Sequence, residues 1–235
     1  MKRLIFGAII ILIFAVNLSA QVVVTGPFAA EQSHPDLNID KIVFNGDSTT
    51  ITLTVVNKLD NGGWFCADKN IYIENPSTHK RYYILHSAGI PTCPDTYNFR
   101  MKGEKLSFSL AFPPFPLDSK TLNLVEDCNK SCFSFKGVIL DEKLNKDIRT
   151  FNRGMEYYTA NKTAEAVACF IKVIAEIPPF PTHVYGYSYY HLVIIYQNKG
   201  DDLTANYWLD QLKQSSLPDK QYFIDAIRKN NEFPQ

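Results

Sequence analysis

The apolar residues of this chain change their spacing near residue 140, and that change limits its fold more than any other feature. Upstream, TTITLTVVN and LSFSLAF alternate apolar and polar residues, the period of a strand with one buried and one wet face. LNIDKIVF, NIYIEN, KRYYILHS, TLNLVE and FSFKGVIL are further β-branched and aromatic runs, separated by NGDS, PSTH and PPFPLDSK. About seven short strands with turn signals between them predict an immunoglobulin-like β-sandwich over residues 21–140. Trp64 precedes Cys66 by two positions, so the antibody Cys-Trp-Cys order is missing, and the ring is expected to pack wherever its loop goes. Downstream, AEAVACFIKVIAEI carries apolar residues at helical spacing and is stopped by Pro178 and Pro179. The polar stretch DEKLNKDIRT, residues 141–150, has no strand pattern and is expected as a linker that turns helical towards Phe151.

The chain opens with Lys2 and Arg3, an apolar run from Leu4 to Val16, and then NLSA. These are the charged, apolar and small-residue parts of a secretory signal peptide over residues 1–20, with the cut expected after Ala20. The run is shorter than the ~20 apolar residues a spanning helix needs, so no stable membrane anchor is expected after cleavage. Lys+Arg and Asp+Glu both number 24, and loss of Lys2 and Arg3 leaves a slight acidic excess. That balance, with no Lys/Arg cluster, points away from nucleic acid. Export also sets the expectation for the five cysteines. Four lie in the β part, and in an oxidising compartment they can form two disulfides in three connectivities. Cys128 and Cys132 flank only NKS between two strand-like runs, so a hairpin there would hold them opposite each other. Cys128–Cys132 and Cys66–Cys93 are the expected pairs, with four reduced, half-buried thiols as the alternative. Cys169 lies on the apolar side of a helix and reads as a core residue.

In the last third, one spacing occurs twice. Gly154, Tyr157, Ala166, Phe170 and Pro178 form the first copy; Leu192, Tyr196, Gly200, Ala205, Trp208, Leu209 and Pro218 form the second. This pattern resembles the tetratricopeptide repeat, in which small residues let two antiparallel helices approach and aromatics fill the gaps. The resemblance implies a TPR-like helical domain over residues 151–235. Thr163 is the expected N-cap of its second helix, the second pair is expected from near Thr182 to Gln214, and DKQYFIDAIRKNNEF is expected as a capping helix. Tyr157 and Tyr196 stand farther apart than the repeat's usual period of about 34 residues, and the PPFPTH stretch takes up the excess. Thr150, Arg153 and Val193 depart from the pattern. The phrases RYYILHSAGIPTCPDTYNF, LSFSLAFPPFPLDSKTLNLVE and FSFKGVIL are similar to an uncharacterised β-sandwich domain of secreted Bacteroidota proteins. That likeness implies a periplasmic or cell-surface setting and no activity.

In the repeat family the first helix of each pair lines a concave groove. Carried over, the groove residues are Ile148, Phe151, Met155 and Tyr158, then Tyr187, Tyr190, Ile194, Gln197 and Asn198. Such an aromatic face suits a protein partner; the competing reading is that it packs against the sandwich. The histidines show no metal-ligand spacing, and surface or capping roles are expected for His183 and His191. Nucleophile, zinc, phosphate and dinucleotide motifs are missing, so the expectation is a protein without catalytic residues, metal or cofactor. The sequence thus predicts an exported scaffold that binds a protein through its helices. The alternative is a sandwich that binds a glycan or envelope component, with the helices as a spacer or a dimerisation element.

Overall fold

The computed structural model describes residues 21–129 and 131–232, so the expected signal peptide lies outside the described residues. The β part contains β1 (Val22–Thr25), β2 (Glu31–Gln32), β3 (Leu37–Phe44), β4 (Thr49–Val56), β5 (Gly63–Phe65) and β6 (Ile71–Glu74). It continues with β7 (Arg81–Tyr83), β8 (His86–Ala88), β9 (Tyr97–Phe99), β10 (Lys105–Phe112), β11 (Thr121–Glu126) and β12 (Ser134–Ile139). One sheet has the order β1-β3-β4-β10-β8, the other β2-β12-β11-β6-β7, and β5 pairs separately with β9. The alternation seen in the sequence decides which side chains face inwards. Ile51, Leu53 and Val55 of β4 and Leu106, Phe108 and Leu110 of β10 join Ile71, Ile73, Leu122, Leu124, Phe135 and Val138 of the other sheet in one core. The two sheets therefore pack face to face.

KRYYILHS, expected as one strand, is two. Ile84 donates its N–H to Ile71 O in one sheet, and the next residue, Leu85, donates to Ala111 O in the other. The chain crosses between layers at that dipeptide, a step that local alternation does not encode.

Residues 141–150, expected as a linker, form the start of α1 (Glu142–Thr159). Asp141 is the reason: its carboxylate accepts the Leu144 N–H at 3.0 Å and caps the helix. These turns are polar because they dock on backbone. Asn145 is fully buried; its Oδ1 accepts from Phe28 N and its Nδ2 donates to Ile139 O, both at 2.9 Å. Arg149 donates to Thr25 O at 3.0 Å and to Glu142 at 2.6 Å. The helical part is thus keyed to one end of the β part.

Four more helices follow: α2 (Thr163–Ile174), α3 (Val184–Asn198), α4 (Asp202–Gln214) and α5 (Lys220–Glu232). Thr163, expected as an N-cap, is instead the first helical residue, and Lys162 before it makes no side-chain cap bond. The turn is made by Asn161 with φ 57°, a left-handed conformation that asparagine tolerates. Each helix packs on its neighbour in sequence, and α3 also meets both α1 and α5. Hence α1, α3 and α5 share one layer. Two glycines set the close approaches. A Cβ on Gly154 would lie 2.8 Å from the Phe170 ring, and one on Gly186 would overlap the Phe223 ring.

Candidate functional site

The expected groove residues fall on the α1 and α3 layer, and the structure separates those that build it from those that present it. Ile194 is buried, and Phe151, Met155 and Tyr158 pack half-buried around Phe170 and Leu192. Tyr190, Gln197 and the neighbouring Ile148 are half-buried, while Asn198 is exposed at the end of α3. Tyr187 is 40% exposed, and α5 adds Tyr222 at 63%, a residue the sequence reading gave only to a capping helix. The Phe151 and Tyr187 ring centroids are 6.2 Å apart; Phe223 meets Tyr187 and Tyr222 at 5.0 Å each. An aromatic stripe therefore crosses α1, α3 and α5. A hydrogen bond with Tyr222 is the main cause lifting the Tyr187 phenol above its ordinary pKa. The contacts of α1 with the β part involve its first two turns, which leaves Tyr187 and Tyr222 uncovered by the sheets.

His191, expected on the surface or at a cap, is instead wedged between helices. Its ring stacks on Phe170 with centroids 5.3 Å apart and touches Phe151 and Tyr158. Burial lowers its pKa to about 4, so it is neutral at physiological pH. His183 pairs with Asp219 just ahead of α5. Tyr185 is buried and donates its hydroxyl to Asp147 at 2.7 Å; burial, then that bond, raises its pKa. Cys169 is half-buried against Gly154, in keeping with a packing role.

A second feature lies at the other end of the β part. Both expected disulfides are present, Cys66–Cys93 and Cys128–Cys132. The first ties the β4–β6 loop to the β8–β10 loop, which are also knitted by the β5–β9 pair. The second closes the β11–β12 hairpin. Glu126 joins the set: its carboxylate accepts from Asp68 N at 2.7 Å and from Phe133 N at 3.1 Å. Burial lifts its pKa, and the two amides oppose that. The three pinned loops and the His34 segment enclose a cleft of about 770 Å³. Trp64 was expected to pack with its loop; it stands 58% exposed beside the cleft, because its β5 neighbour Phe65 takes the inward position. The six residues of β12 separate this cleft from α1, a rise of about 20 Å. The paired cysteines were readable, but their shared cleft depends on loops far apart in the sequence.

Among the described residues, no group of three or more His, Cys, Asp or Glu side chains could hold a metal ion, and no helix is long and apolar enough to cross a membrane. No family model, curated protein or solved structure matches the chain.

Proposed function

We propose that this is an exported binding protein whose helical part docks another protein along the Phe151–Tyr187–Tyr222 stripe. The observation that carries this reading is the exposure of Tyr187 and Tyr222 on one layer of three helices. Exposed tyrosines offer large contact area and a polar tip at low entropic cost, as at binding hot spots. Two helical hairpins followed by α5, with Gly154, Ala166 and Ala205 at the close contacts, support a tetratricopeptide-like array. The orders β3-β4-β10-β8 and β12-β11-β6-β7 correspond to A-B-E-D and G-F-C-C′ and support an immunoglobulin-like sandwich. Two disulfides and the apolar run of residues 4–16 support delivery to the periplasm or cell surface. The β part then acts as a rigid mount for the helices. The test is quantitative capture from an envelope extract with the chain lacking residues 1–20. Tyr187→Ala with Tyr222→Ala should abolish recovery of the specific partner at unchanged circular dichroism, whereas Leu203→Ala on α4 should not. Equal recovery by all three forms would overturn the reading.

A further inference from the structure

We propose that the disulfide-pinned cleft at the end of the β part is a second binding site, and that its ligand is a neutral oligosaccharide. Its volume of about 770 Å³ falls within the several hundred to about 1,000 Å³ of small-ligand sites. Its walls are preorganised. Cys66–Cys93, Cys128–Cys132 and the Glu126 carboxylate each fasten a loop that would otherwise need ordering when a ligand binds. Both Glu126 oxygens accept backbone amides, so this carboxylate holds the floor together.

The lining decides the ligand chemistry. Trp64 contributes a broad apolar face at the rim, suited to the C–H face of a sugar ring. Around it stand Ser33, Asp68, Thr96, Asn129 and Ser131, which supply hydroxyl, amide and carboxylate groups matched to a run of sugar hydroxyls. The carboxylates of Asp68 and Glu126 both line the cleft, and like charge there disfavours an anionic ligand. A wholly apolar ligand would strip water from these polar groups without replacing its hydrogen bonds. The site lies at the far end of β12 from the aromatic stripe, so it is independent of the protein-docking proposal.

The experiment uses the full chain without residues 1–20, carrying Trp208→Phe so that emission reports on Trp64. The probes are cellotetraose, chitotetraose, mannotetraose and, as an anion, tetragalacturonate. At least one neutral tetrasaccharide should shift the emission saturably, with a Kd on the order of 10 μM to 1 mM. By calorimetry on the otherwise native chain, Trp64→Ala and Asn129→Ala should each weaken that binding about tenfold or more at an unchanged melting temperature. Saturation by none of the neutral sugars up to about 10 mM, by tetragalacturonate alone, or equally in the Trp64→Ala form overturns the proposal.

Discussion

His191 sits among the rings of Phe151, Tyr158 and Phe170, with centroids 6.2, 5.3 and 5.3 Å away, and its Nδ1 has no hydrogen-bond partner among the described residues. Burial holds its pKa at about 4 in the fold, against ~6.5 in an unfolded chain. The unfolded state therefore binds the extra proton between those two values. Stability is unaffected above pH ~6.5, falls as the pH drops through the window, and levels off below pH ~4. A displacement of that size corresponds to roughly 3 kcal/mol, about 2 of it lost by pH 5. For a chain of this length each kcal/mol moves the melting point by about 2–4 °C. The assay is urea unfolding followed by Trp208 emission, in a Trp64→Phe background, at a series of pH values. Trp208 packs in the same helical core, so it reports on the right cluster. Carboxylates titrate nearby in pH, including Glu126 with the opposite sign, so the quantity to read is the difference from His191→Phe. That variant keeps an aromatic ring and loses the titration. Its stability relative to the parent should be flat above pH ~6.5 and improve by roughly 3 kcal/mol towards pH 4. Parallel pH curves for the two proteins would refute the buried, neutral imidazole.

Two further substitutions test the packing that positions the proposed sites. Gly186→Ala gains about 1 kcal/mol of helix propensity but drives a methyl into the Phe223 ring; the clash should win, with a net loss of roughly 2 kcal/mol. Adding Phe223→Leu should return part of that stability in the same urea titration, and full stability of Gly186→Ala alone would contradict the close approach of α3 and α5. Asn145→Ala strands the Phe28 N–H and the Ile139 carbonyl at the junction, so a loss of about 2–4 kcal/mol is expected. Hydrogen exchange at the Phe28 amide should quicken with it, and unchanged protection there would show that α1 is held by other contacts.

Where a property was local, the sequence carried it. β3 and β4 were legible because LNIDKIVF is a run of β-branched and aromatic residues, TTITLTVV alternates over eight residues, and the two turn at Asn45–Ser48, where Asn45 N bonds Ser48 O. The Cys128–Cys132 bridge was legible for the same reason, since both cysteines belong to one hairpin. What failed was information held between distant segments. Ile84 and Leu85 divide their hydrogen bonds between two sheets, and only the partners Ile71 and Ala111 reveal it. The polar stretch from Asp141 hid a helix because its polarity serves a docking surface; Asp141 three residues before Leu144 was the one local capping signal. His191 read as surface because imidazole is polar, although Tyr158 and Phe170 bury it. The aromatic stripe was half legible. Tyr187 lay on the expected face, but Tyr222 joined it only through the packing of α5 on α3.

Site-specific photocrosslinking in the living cell tests most directly whether that stripe is where a partner protein docks. p-Benzoylphenylalanine would replace Tyr222 on the stripe or, separately, Leu203, which is 88% exposed on α4. Irradiation should give a discrete, heavier adduct from position 222, containing a second polypeptide identified by mass spectrometry, and none from position 203. Equal yields from both positions, or none from position 222 while the protein is folded and exported, would contradict a docking role for the helices.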